Sequence, residues 1–269
     1  MRSLANWSGI DIEWATDGTL TFDKDLIVDE TLQRPRERLR AVALQPEVCE
    51  PALQPQYLMY NGIVRRADRE RLAVTGMRYE LTLMFPYAIG RERAKTLGHL
   101  HSAPPNSPLN YPEVCEVLHG TAYFVFQTMD TDTRSAPYCA VLEAHPGDKV
   151  IIPPNLHHLT INAGDEPLLF ADVIPLATRG IYESLAAMHG AAYLNTLDAG
   201  WIKNPHYVSM GDLQHWPADA YPVFGLMPDR PLYNVFSDSP DKLAWMLRPE
   251  QFGTTFPTIW QRLEAVIAA

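Results

Sequence analysis

The chain has 269 residues, 46% hydrophobic and 20% charged, with a formal net charge of −10, which fits one large domain or one domain with a substantial appendage. That acidity argues against nucleic acid as a partner, and no stretch of Lys and Arg offsets it. No run approaches the ~20 apolar residues of a membrane span, so no membrane partner is expected. Arg34, Arg36, Arg38 and Arg40 cluster, but Glu30 and Glu37 are interleaved, so the segment reads as solvated surface. Cys49, Cys115 and Cys139 are widely spaced and form no CxxC pair. That usage favours free thiols in a reducing compartment, and the first eleven residues hold no apolar core, so a cytoplasmic location is expected.

In chain order, residues 1–45 form an N-terminal arm. The run Thr16-Asp17-Gly18-Thr19 between short apolar segments reads as a hairpin turn. Residues 32–44 read as a short helix. From residue 46 to 178 the pattern is that of strands, at 57–60, 79–85, 113–127, 139–142, 149–152, 159–162 and 168–174. These runs are rich in Val, Ile, Leu, Phe and Tyr and are separated by Pro, Gly, Asn and Asp. Many short strands without a helical period indicate an all-β barrel or jelly roll. Residues 179–269 change character. Ile181, Leu185 and Met188 share a helix face before Gly190. Residues 204–230 are rich in Pro and aromatics and read as an ordered wrap on the barrel, because Tyr207, Trp216, Tyr221 and Phe224 are too apolar for a disordered tail. Ile259, Leu263 and Ile267 recur every four residues, as in a final amphipathic helix.

The chemistry concentrates in Gly98-His99-Leu100-His101, Glu113 and His158. Two histidines one residue apart cannot share a helix face. In a strand their side chains project to the same side about 6.5 Å apart, close enough to meet one metal ion. A third imidazole and a carboxylate complete a nitrogen-and-oxygen set suited to iron, zinc, nickel or manganese. His157 and His158 must point to opposite faces of their strand. His158, Thr160 and Asn162 share the polar face, so His158 is the candidate ligand and His157 a packed or surface residue. Gly120 and Gly147 suit tight turns with positive φ, and Pro153-Pro154 fix entry to the next strand.

Gly98-His99-x-His101, Glu113-x6-Gly120 and Pro146-Gly147-x5-Pro153-x4-His158-x3-Asn162 resemble the two cupin motifs. Further runs extend the likeness: Gln56-Tyr57, Leu81-Thr82-Leu83-Met84-Phe85-Pro86, Asn162-Ala163-Gly164-Asp165-Glu166-Pro167, Tyr182 and Lys203-Asn204-Pro205-His206-Tyr207. Over roughly residues 8–207 the chain is similar to the cupin-type glucose-6-phosphate isomerases. The resemblance implies a cupin jelly-roll barrel with His99, His101, Glu113 and His158 as metal ligands. It puts Tyr57, Thr82, Thr96 and Gly98 at the sugar phosphate and Tyr182 over the reacting end. A cradle of hydroxyls and one amide is uncharged, which costs affinity relative to one containing Arg. Also implied are one divalent transition metal, Fe2+ first with Zn2+, Ni2+ or Mn2+ as alternatives, a sugar-phosphate substrate, a homodimer, and a place in glycolysis and gluconeogenesis.

Aldose–ketose isomerisation moves a hydrogen between C1 and C2 through an enediolate. Glu113 is the candidate proton shuttle, with a metal-assisted hydride shift as the other route. Three features depart from the family pattern. His101 and Glu113 are twelve apart, with a Pro-rich insertion at 103–110; Cys115 stands where a tyrosine is usual; and the chain continues beyond Tyr207. Two alternatives stay open: a metal cupin acting on another small sugar or acid, oxygenase chemistry included, and a non-catalytic sugar-binding cupin.

Overall fold

The computed structural model describes residues 2–15 and 18–267, with side chains from 3 to 263. Ten strands build two sheets: β1 (Glu30–Arg34), β2 (Tyr57–Asn61), β3 (Met77–Met84), β4 (Glu113–His119), β5 (Ala122–Gln127), β6 (Cys139–Ala144), β7 (Lys149–Ile152), β8 (His157–Asn162), β9 (Leu168–Pro175) and β10 (Leu213–Trp216). One sheet has the order β7-β4-β9-β3-β2-β1 and the other β8-β5-β6-β10. Consecutive strands β4 and β5 lie in different sheets, as do β6 and β7, and β7 and β8. The two sheets are the walls of the expected jelly-roll barrel.

Burial on both faces explains the nearly unbroken apolar runs. Every residue of β9 is buried, and on β3 Tyr79, Leu81 and Leu83 are fully enclosed. Arg78, Glu80 and Thr82 alternate with them and line the barrel cavity. The outer face lies under the C-terminal extension, where Tyr79 meets Tyr233 edge-on at 5.2 Å between ring centroids. Helices α1 (Glu183–Ala187), α2 (Leu232–Asp238) and α3 (Pro257–Ile267) belong to that extension. Leu232, Phe236, Met246, Phe252, Ile259 and Leu263 share one apolar cluster with barrel residues Leu81, Val114 and Val173.

Four local expectations are corrected. The run read as one strand at 113–127 is two, broken at Gly120, whose φ is +83°. A Cβ there would approach the Pro167 carbonyl oxygen to 3.0 Å, so the crossing between sheets needs a glycine. Residues 32–44 are not one helix: β1 pairs antiparallel with β2, and a 3₁₀ helix follows at Arg36–Val42. Pro35 separates the two, because the residue before a proline is driven out of the α region. The wrap includes a strand, β10, which pairs parallel with β6 and caps that sheet. The helix expected over 181–189 is shortened to Glu183–Ala187, because Gly180–Ile181 pair with Leu100–His101. In the arm, Ile12–Trp14 pairs with Leu20–Phe22. Thr16 and Asp17 of the expected turn, and Ala268, lie outside the described residues, as does the Ile267 side chain.

Candidate active site

The segment leading to His101 runs beside β8. Thr96 donates its backbone N–H to Thr160 O at 2.9 Å, and His99 and His158 exchange both backbone hydrogen bonds at 3.0 and 2.9 Å. That pairing lays the histidine run along the outer edge of β8. It requires Gly98, which has φ +72° and where a Cβ would sit 2.8 Å from Leu185 Cδ1 and 3.1 Å from His158 O.

The three imidazoles of His99, His101 and His158 converge, with ligand atoms all within 4.8 Å of one another. The His99 and His101 Nε2 atoms are 3.1 Å apart. Glu113, from β4 on the opposite sheet, places Oε2 3.3 Å from His101 Nε2 and 3.6 Å from His158 Nε2. His101 Nδ1 lies 2.8 Å from the Tyr111 carbonyl oxygen and His158 Nδ1 3.3 Å from that of Leu156. A carbonyl can only accept, so these Nδ1 atoms carry the protons and each Nε2 lone pair faces the cluster. Burial, reinforced by the neighbouring imidazoles, pushes His99 well below the usual histidine range and His158 down to about 3. Neutral imidazoles with lone pairs converging beside a carboxylate are the donor set a divalent cation needs. The residues fit a metal ion.

Burial works against ionised Glu113, but contact with the His101 and His158 rings and the Cys115 donor outweighs it and holds the carboxyl below its ordinary range. The Cys115 thiol donates to Glu113 Oε1 at 3.1 Å. Burial and the Glu113 charge push that thiol well above its usual range, so it is an inert donor.

The cavity is about 220 Å³, and Tyr57, Thr82, Thr96, Gly98 and Tyr182 all line it. Leu97 N–H donates to the Tyr57 hydroxyl at 3.4 Å. The Tyr182 ring lies 5.3 Å from that of His99 and is 39% exposed, at the mouth. The end of the 103–110 insertion supports the cluster: Tyr111 O holds His101 Nδ1, and the Asn110 side chain donates to His101 O. His157 points away from the cavity and bonds Ser184 Oγ at 2.7 Å.

Thr160, on the expected polar face with His158, also lines the cavity, and the sequence reading missed Arg34, Arg78, Glu80 and Asp172, which do so as well. Arg78, Glu80 and Thr82 alternate along β3, a period-two polar face that was legible. Arg78 pairs with Glu80, and Glu80 lies across from Asp172 in register. Burial, then the charges of Glu80 and Glu113, pushes Asp172 well above its ordinary carboxylate range. Arg34 corrects the reading of the arginine cluster as solvated surface, since it lines the cavity.

A family model described as glucose-6-phosphate isomerase (GPI) matches residues 37–209. The glucose-6-phosphate isomerase of Pyrococcus abyssi is 30% identical over 110 residues, 41% of this chain and 52% of that relative. The chain therefore spans about half the length of that curated relative. The glucose-6-phosphate isomerase of Thermococcus kodakarensis is 27% identical over 178 residues, 66% of this chain and 82% of that one. Among solved structures, oxalate decarboxylase from Bacillus subtilis overlaps with a TM-score of 0.33 and 21% identity, over 46% of this chain and 28% of that one. An overlap that partial carries no functional argument.

Proposed function

Since this chain belongs to the glucose-6-phosphate isomerase family, we propose that it interconverts an aldose phosphate and its ketose, glucose 6-phosphate and fructose 6-phosphate first. The observation that carries this reading is the convergence of three imidazoles and the Glu113 carboxylate on one side of a hydroxyl-lined cavity. His99, His101 and His158, with Glu113, would hold one divalent transition metal, iron(II) first. A metal ion held there supplies Lewis-acid polarisation of the sugar's C1 and C2 oxygens. Glu113 takes the proton from one carbon and returns it to the other, while the hydroxyl proton passes between O2 and O1 of the enediolate, so no net proton is exchanged. Its lowered proton affinity makes it a weak base while His101 and His158 face it, so proton transfer requires Oε2 to turn from them toward the substrate. Cys115 keeps Oε1 oriented during that movement. Tyr182 stands over the reacting end and limits water entry at the mouth. Tyr57, Thr82, Thr96 and the Gly98 amide bind the phosphate end.

The test is a coupled assay with fructose 6-phosphate on metal-loaded protein, on chelator-treated protein, and on a His158→Ala variant. Glucose 6-phosphate should form only in the first, and His158→Ala should retain no metal by elemental analysis. No product under any metal loading removes the reading, and full metal occupancy in the variant means His158 is not a ligand. Oxygen uptake, or ligand binding without turnover, would point instead to the other two activities considered above.

A further inference from the structure

The arm brings a cation to a cavity whose expected phosphate-binding set has none. Arg34 ends β1 and lies opposite Tyr57 of β2 in register. Its guanidinium carbon is 5.8 Å from the Tyr57 ring centroid, and its side chain lines the cavity with Thr82, Thr96 and Gly98. Among the described residues no carboxylate pairs with Arg34, whereas Arg40, Arg69, Arg78 and Arg91 each have one. Its Nε is buried with no hydrogen-bond partner. A guanidinium half-withdrawn from water with an unsatisfied N–H carries a desolvation cost that an incoming anion removes. Inside the cavity the other arginine, Arg78, is already occupied by Glu80. Arg34 also precedes the family match, which begins at residue 37.

We propose that Arg34 is the phosphate-recognising cation of this site, binding the dianion through its fork beside the Tyr57 hydroxyl. It supplies the charge that a cradle of hydroxyls and one amide lacks, and a fork can meet two phosphate oxygens at once. The inference rests on reading the cavity as a sugar-phosphate site and concerns only how the phosphate is held.

The experiment measures binding of glucitol 6-phosphate and of glucitol, which cannot isomerise, to the metal-loaded full chain by calorimetry. The expected result is that Arg34→Ala and Arg34→Gln weaken glucitol 6-phosphate about ten- to hundredfold, as the loss of charge-assisted hydrogen bonds requires. Glucitol affinity should stay unchanged, and Arg34→Lys should recover part of the preference as a single point charge. Gln keeps the unbranched apolar stem and a polar end at the edge position, so a melting curve matching wild type certifies that variant if Ala does not fold. Equal weakening of both ligands, an unchanged preference in Arg34→Gln, or no phosphate preference in the wild type overturns the proposal. If the wild type forms no glucose 6-phosphate but its preference still depends on Arg34, the isomerase reading fails and the anion site stands.

Discussion

His157 and His158 are adjacent, yet strand alternation gives them opposite surroundings. His158 joins the cavity cluster, whereas His157 is buried beneath Ser184, with its Nδ1 unpartnered. Burial alone pushes His157 down to about 4 from 6.5. Between those values the unfolded chain binds a proton that the folded imidazole refuses. The resulting stability is complete above about pH 6.5 and is lost as pH falls toward 4, at most about 3 kcal/mol. Gln at this position keeps a hydrogen bond to Ser184 and does not titrate. Urea unfolding at several pH values should show wild type losing more stability than His157→Gln across this window; parallel pH slopes would mean His157 is as easily protonated folded as unfolded.

At the scale of elements, the extension is tied to the barrel by a buried ion pair. Lys149 on β7 and Glu116 on β4 are 2.7 Å apart, each 1% exposed. Glu116 Oε2 accepts from the Leu232 N–H at the start of α2 at 2.6 Å. Lys149 Nζ donates to Gly147 O at 2.8 Å and Met227 O at 2.9 Å. Removing one partner strands the other charge in a dry interface, so Lys149→Ala should cost about 3–5 kcal/mol. The double variant Lys149→Met, Glu116→Leu should recover much of that, since paired apolar replacement is often neutral. Chemical denaturation reads both. A cost below about 1 kcal/mol for the single variant would mean the apolar contacts alone hold the extension.

For the whole molecule, β10 caps one sheet at β6, while β1 ends the other. Glu30–Gln33 of β1 are exposed, which leaves an edge with unpaired backbone groups. Pairing of two copies along that edge is the expected homodimer. Light scattering at micromolar concentration should then give twice the 30.3 kDa of one chain, and a single-chain mass would exclude it. Much of this architecture is legible in the order of the residues. Alternating and continuous apolar runs mark strands because side-chain direction repeats every two residues, and the His-x-His spacing has only one geometry in which both rings can meet. Those relations are local, so the sequence by itself determined the barrel strands, the polar face of β8 and the choice between His157 and His158. Three things depended on residues far apart in the chain. One is Glu113 reaching the imidazoles from the opposite sheet, and another is the extension merging its core with the barrel's outer face. The third is Arg34, which resembles surface in its charged neighbourhood until β1 pairs with β2 and turns it toward Tyr57. Only the tertiary structure decided these, because no periodicity within a segment records which distant strand will lie beside it.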